Sequence, residues 1–431
     1  MKINQILTGC IAALTLAGAA QAATNHIYLT GSTAFRAQTN AGLQTLYGAP
    51  VALDNAALGS ANNVLFKKVN YPAVGDTTYV KCTWNGASAG VQSVAAGSSL
   101  PASTQIKLTY YSDAAVGTGS PSSLGSETAV PDIALSDVYQ GTTGFTGTGI
   151  RNTGTINPAT GAVNHALDVT TTYEDLSAQD VLCGVVCFQF VGSTGFRGTN
   201  MTPQLAQVLY PLGKQALSQF TGSAADATKL VFAIGRDPDS GTRATTFAES
   251  GVGVGAAVKQ YSVTENSGTA QINSQVIFPY QLVNGVSTGA LGNGGYSSGG
   301  TLRGFLTDTI PSAIYTAPAS GGSAGTTGAY YVSYLGNSDA SVVTAGQVAP
   351  RGNAVALKYN GVAYSAAAVQ NGQYTFWGYE HIMYRAAAVG TLAETVALDL
   401  QAQVLGTNLN PLNVNLADMV VGRSNDGGLV N

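Results

Sequence analysis

Short apolar runs that stop at small, hydroxyl-bearing turns punctuate this chain. His26-Ile27-Tyr28-Leu29 is β-like and ends in Thr30-Gly31-Ser32-Thr33-Ala34-Phe35, after which an amphipathic polar stretch continues to Leu46. Gln105–Tyr111 is a second such run and leads to Gly117-Thr118-Gly119-Ser120; Asp132–Leu135 is a third and ends in Ser136-Asp137. Lys229–Ile234 delivers the chain to Arg236-Asp237-Pro238-Asp239-Ser240-Gly241-Thr242-Arg243, and Ala244–Glu249 can be helical. Leu182–Phe190 also reads as a strand. Helical spacing of apolar residues covers Pro203–Phe220, behind the capping Thr202, and Val389–Leu405, with Leu392, Val396, Leu400 and Val404 on one face. Strands alternating with helices predict an α/β fold, and strand ends with polar tips predict a shared cleft at the carboxyl edge of a sheet. Residues 141–165, 284–301 and 318–328 are rich in Gly, Ser, Thr or Asn and read as long loops.

Composition sharpens the picture. The 431 residues are 45% hydrophobic but only 9% charged, with 54 glycines and a net charge of −4. Such a surface is polar but nearly neutral. It lacks the positive field needed to hold nucleic acid or anionic lipid by counterion release, so any bound anion must be held by a local site. Lys2, the apolar stretch Ile11–Ala19 and Ala20-Gln21-Ala22 have the order of an export signal, with the mature chain expected to begin at Ala23. Leu7-Thr8-Gly9-Cys10 resembles a lipobox, but the apolar stretch follows Cys10, the wrong side for lipidation. No later segment approaches ~20 uninterrupted apolar residues, so the expectation is an exported protein, periplasmic or extracellular, with no membrane insertion after cleavage.

Three cysteines follow the signal. Cys183 and Cys187, four apart on a strand, stand roughly 13 Å from each other, too far to bond. A bridge from Cys82 to one of them is expected. The three histidines, His26, His165 and His381, are scattered, so no metal site and no cofactor is expected. Gly295-Tyr296-Ser297-Ser298-Gly299 fits a nucleophile pattern but sits in a Gly/Ser loop without a preceding strand, and no base pairs with it; an enzyme is not expected.

Arg236-x-x-x-Ser240-Gly241-Thr242 is the densest piece of chemistry. A guanidinium, two hydroxyls and the free amides of a helix start can point at one place, which suits a tetrahedral oxyanion. Ser32, Thr33 and the Ala34 and Phe35 amides offer a second set of donors. Asp137 offers an acceptor.

The order of these motifs resembles the periplasmic phosphate-binding proteins, the solute receptors of phosphate ABC importers. Leu29–Phe35 is similar to that family's N-terminal loop, Gly117–Ser120 to its Gly-x-Gly-Ser turn, Ser136-Asp137 to its Ser-Asp strand end, and Arg236–Thr242 to its Arg-x-x-x-Ser-Gly-Thr signature. Thr199–Thr202 with the helix after it, and Gly328–Tyr334, resemble further segments. The chain departs at Arg36, where the family carries proline. The resemblance implies a two-lobed, type II periplasmic-binding-protein-like fold, each lobe a mixed sheet flanked by helices, with residues 23–188 and 376–431 in one lobe and 189–375 in the other. It implies a cleft ligand, inorganic phosphate, and an ABC transporter complex as partner. The anion would be held by Ser32, Thr33, Ala34, Phe35, Ser120, Asp137, Arg236, Ser240, Gly241 and Thr242. Asp137 would reject sulfate, which brings no proton to share. Trp377–Glu380 would pack at the hinge. The competing reading is an extracellular structural or adhesive protein on the same fold with altered or lost anion binding.

Overall fold

The computed structural model describes residues 22–97, 100–101, 105–152, 168–264, 276–279, 293–307, 329–348, 351–406 and 413–431. The export signal up to Gln21, the loop 318–328, and residues 153–165 and 284–292 lie outside them.

A twelve-stranded mixed sheet organises the chain. In chain order its strands are β1 (Thr24–Gly31), β2 (Ala52–Leu53), β3 (Asn63–Val69), β4 (Thr77–Thr83), β5 (Gly117–Thr118), β6 (Ile133–Ser136), β7 (Asp180–Gly192), β8 (Lys214–Ala216), β9 (Leu230–Ala233), β10 (Ala329–Gly336), β11 (Val355–Ala356) and β12 (Trp377–Tyr384). Their spatial order is β8-β9-β10-β7-β12-β6-β1-β4-β3-β2-β5, with β11 beside β7. The sheet has two halves. In one, β1 lies parallel to β4 and to β6; in the other, β9 lies parallel to β10. The long strand β7 belongs to both. Its first part, through Cys187, pairs antiparallel with β12, and its second part, from Phe188, pairs with β10.

Helices cover the faces, giving a mixed α/β fold. They are α1 (Arg36–Tyr47), α2 (Ala87–Ala96), α3 (Pro203–Leu212), α4 (Gly241–Glu249), α5 (Gly299–Leu306), α6 (Asn337–Thr344) and α7 (Leu392–Gly406). Leu43 of α1 and Val396, Leu400 and Val404 of α7 share a core with Phe35, Cys183 and Val185. Their burial removes apolar surface from water at about 25 cal/mol per Å2. A second, smaller core around Phe232, Leu302, Leu306, Tyr331 and Leu335 holds the other half together.

The structure differs from the sequence reading in four places. The helix expected over 203–220 stops at Leu212, because Gly213 takes a left-handed φ of 80° and caps it. The chain then pairs as β8 with β9 before a one-turn helix at Ser218–Thr221. The stretch 141–165 is not all loop: Gly147–Asn152 pairs antiparallel with Asp168–Tyr173. The stretch 284–301 likewise ends as structure, since α5 begins at Gly299 under a Ser298 cap. Finally, the Cys82 bridge is absent: Cys82, Cys183 and Cys187 are buried free thiols. Cys82 is on β4 and the other two are on β7, four strand spacings away. At ~4.8 Å per spacing that is roughly 19 Å, beyond any disulfide.

Burial pushes all three thiols up, Cys187 to about 12, so they stay protonated and inert in the native state. Alkylation without reductant should therefore label none of Cys82, Cys183 and Cys187 in the folded protein and all three in denaturant. A pair that resists labelling in denaturant would contradict this arrangement.

Candidate functional site

Four strand ends meet where the two halves of the sheet face each other. β1 ends at Gly31, whose φ of +118° turns the chain into the Ser32–Phe35 loop; a Cβ there would lie 2.0 Å from the Leu135 carbonyl oxygen. The Ser32 N–H donates to that carbonyl (2.8 Å), locking the loop to the end of β6. The Phe35 N–H donates to Ser32 Oγ (3.2 Å), while the Phe35 ring is buried in the core and its carbonyl starts α1. β6 ends in Ser136-Asp137. From the other half, β9 ends in the Arg236–Thr242 turn. The Ser240 hydroxyl caps α4 by accepting from the Arg243 N–H (3.3 Å). The Gly241 and Thr242 amides, in the first turn, have no acceptor within the helix.

The halves touch through site residues. The Arg236 guanidinium donates to the Thr33 hydroxyl (3.2 Å), and also to the Tyr296 (3.0 Å) and Ser297 (2.8 Å) carbonyls. The Thr242 hydroxyl donates to Asp137 Oδ2 (3.2 Å), and Thr245 Oγ1 donates to the Asp137 carbonyl (3.0 Å). Gly241 is pressed against the same acid: a Cβ on it would lie 1.8 Å from Asp137 Oδ1. Ala34 reaches Gly336 at the end of β10, where an added Cβ would stand 3.5 Å from its methyl carbon. Arg236 (3% exposed), Asp137 (1%) and Ser32 (1%) are all buried.

Ser120 does not join them. It follows β5, the outermost strand beyond β2, and is exposed. Its hydroxyl makes local contacts with Ser122 and Ser123. The Gly-x-Gly-Ser turn is therefore an edge feature rather than part of the cluster.

Other groups complete the cluster without a strong local sequence signal. The Tyr334 hydroxyl accepts from the Arg236 N–H (3.1 Å) and donates to Gln260 (2.8 Å), whose amide donates to the Arg236 carbonyl (2.9 Å). This fixes the backbone from which the guanidinium extends. Arg243 also donates to the Arg236 carbonyl (3.1 Å). The 295–299 segment enters through backbone carbonyls, not as a nucleophile; Ser298 caps α5. Glu380 of β12, within the stretch expected only to pack, is fully buried. Trp377 does pack, with the Arg423 guanidinium 4.0 Å from its ring centre. A cleft of about 260 Å3 opens beside the turn, lined by Ser88, Phe145, Asp239, Arg243, Ala244 and Asn293. Arg236 and Asp137 are not in its lining.

Desolvation dominates the electrostatics of the cluster. Burial pushes the Asp137 carboxyl up to about 6, with Arg236 and the Thr242 hydroxyl limiting the rise. Burial likewise raises Asp237 to about 6 and moves Asp239 and Asp426 upward. Asp137 Oδ1, both Glu380 oxygens and Asp426 Oδ1 have no well-formed hydrogen bond among the described residues. Among those residues there is also no group of His, Cys, Asp and Glu able to hold a metal ion, and no helix long and apolar enough to cross a membrane.

No protein family's profile matches the chain, and no curated protein matches it in sequence. Solved structures do resemble it. A Clostridium perfringens protein solved with phosphate bound aligns with a TM-score of 0.42 at 10% identity, over 90% of this chain and 96% of its own. An ABC-type phosphate transport receptor from Vibrio cholerae aligns with a TM-score of 0.40 at 10% identity, over 88% and 94%. A phosphate-binding protein from Stenotrophomonas maltophilia aligns with a TM-score of 0.31 at 15% identity, over 89% and 82%.

Two outcomes follow from the contact between Asp137 and α4. Gly241→Ala should destabilise the fold by about 1–3 kcal/mol, as overpacking does, measured by denaturant unfolding; an unchanged midpoint would contradict the close approach. The folded state holds the Asp137 proton more tightly than the unfolded chain. Stability tied to this group is therefore full below about pH 4 and is lost as pH rises through about 6. Asp137→Asn should exceed the native protein in stability above that range, by up to ~3 kcal/mol, and lose the advantage in acid.

Proposed function

We propose that this chain is an exported solute-binding protein that captures phosphate, or a related tetrahedral oxyanion, between two lobes for ABC-type import. One observation carries the reading: donors and one acceptor from opposite halves of the sheet converge on each other. Arg236 would grip two anion oxygens with its fork of N–H groups. Ser240, Thr242, the Gly241 amide and the start of α4 would take the remaining lone pairs, and Ser32, Thr33 and the Ala34 and Phe35 amides would close from the other side. Ser120 has no part in this.

Asp137 supplies selection. A buried carboxylate oxygen without a donor is costly beside an anion unless the anion brings a proton to share. Hydrogen phosphate does, and sulfate does not. Arg236 now spends N–H groups on Thr33 and two backbone carbonyls. A ligand would replace at least part of that set, so capture would come with a movement of one half against the other. The switch of β7 from β12 to β10 between Cys187 and Phe188 supports lobes of 23–188 with 376–431, and 189–375. The same occupancy of Arg236 is what the alternative needs: an extracellular structural or adhesive protein whose own carbonyls have taken the anion's place.

A phosphate titration read by thermal unfolding separates the two. A receptor gains about 4 kcal/mol when phosphate exceeds the dissociation constant a thousandfold; a protein with a self-filled site gains nothing at millimolar phosphate. Given binding, Asp137→Asn should raise sulfate affinity at least tenfold while phosphate affinity holds or falls. Sulfate rejection of equal strength in both proteins would show that Asp137 is not the filter.

A further inference from the structure

Glu380 is the unexplained group in the interior. It lies on β12, paired with Gly184 of β7 on one side, and its neighbour His381 pairs with Ser136 of β6 on the other. It is fully buried, and neither carboxyl oxygen has a well-formed hydrogen bond. The groups that face it come from three elements. Asp137 at the end of β6 is the charged one, and Ser32 in the β1–α1 loop is the polar one that favours its ionised form. Cys183 on β7 is close enough for its thiol to be raised in part by Glu380. On its own strand, His381 is turned away to Asp180 (2.8 Å). Arg236 and Asp426 lie close enough to act on Asp137.

Two buried acids and an incoming anion cannot all be charged in one place. We propose that Glu380 is a positioning residue of the anion site, carried as the neutral acid, whose proton is accepted by Ser32 Oγ and so turns the Ser32 O–H towards a bound tetrahedral anion. The proposal rests on the anion-binding reading above. The hydrogen-bond count supports it. A serine oxygen has two lone pairs and one O–H. The Phe35 N–H uses one lone pair; a protonated Glu380 uses the second, and the O–H is left for the ligand. An ionised Glu380 reverses this: it takes the Ser32 O–H for itself, aims a lone pair at the anion, and adds a negative charge beside Asp137. Burial and the neighbouring Asp137 both hold the Glu380 carboxyl well above the ordinary range, which favours the neutral form. On deprotonation the proton leaves to solvent.

The readout is a slope, not an absolute affinity. Inorganic phosphate is titrated calorimetrically into the native protein and into Glu380→Gln between about pH 6 and about pH 9, the upper range documented for buried glutamates. Glutamine keeps an N–H for Ser32 and cannot ionise. The dissociation constant of the native protein should rise, relative to that of the variant, by up to about tenfold per pH unit at the alkaline end. Dividing one profile by the other removes the ionisation of phosphate itself. Parallel profiles would overturn the assignment of Glu380 while leaving the anion site standing. Failure of both folded proteins to bind phosphate at any pH would overturn the anion site and this inference with it. The native protein alone gives a second reading: its infrared spectrum should keep a protonated-carboxyl C=O band at about pH 8, above the range in which Asp137 titrates. Absence of that band would also overturn the proposal.

Discussion

The contact between Asp137 and the first turn of α4 is the constraint on which the rest depends. A carboxyl with 1% of its surface exposed sits at the end of β6, and among the described residues the hydroxyl that donates to its side chain is that of Thr242, in the other half of the sheet. Gly241 permits the approach because it has no Cβ. The positive end of the helix dipole makes the approach favourable, and Arg236 adds a full charge within range. Without this pairing the acid would be buried alone, at a cost of several kcal/mol. The two halves of the sheet are therefore held face to face by the same atoms that could recognise an oxyanion.

That arrangement fits a chain with so little charge. Some of its few ionisable groups are drawn inward: Asp137, Arg236, Arg243, Glu380, Arg423 and Asp426 are all buried. Around Asp137 the acids lean towards neutrality and the arginines provide the positive potential. An anion site of the proposed kind needs no global field, only a place where desolvated donors outnumber ionised acceptors. Tyr334 and Gln260 serve that end indirectly by pinning the backbone of Arg236.

Much of this was legible because it is local. The Gly31–Phe35 loop, the Ser136-Asp137 strand end and the Arg236–Thr242 turn are each a strand, a turn and a helix start or cap within a dozen residues, and residue type alone signals each one. What failed was non-local. The Gly117–Ser120 turn looks like the others, but its place is set by β5 pairing at the sheet edge, which no short segment reveals. The expected disulfide failed for the same reason, because strand order puts β4 and β7 four spacings apart. The helix over 203–220 had a local warning in Gly213, but the decision was made by β8 pairing with β9. Glu380 was hidden inside an aromatic run that reads as packing; which way its carboxyl faces depends on β12 lying between β7 and β6.

The most direct test of the central claim is a crystal structure of the protein grown with inorganic phosphate. The anion should lie between the two halves, with Arg236 and the Gly241 or Thr242 amide within about 3 Å of its oxygens and one oxygen of Asp137 as close. Phosphate bound anywhere else, with Arg236 still held by Thr33, Tyr296 and Ser297, would contradict the account.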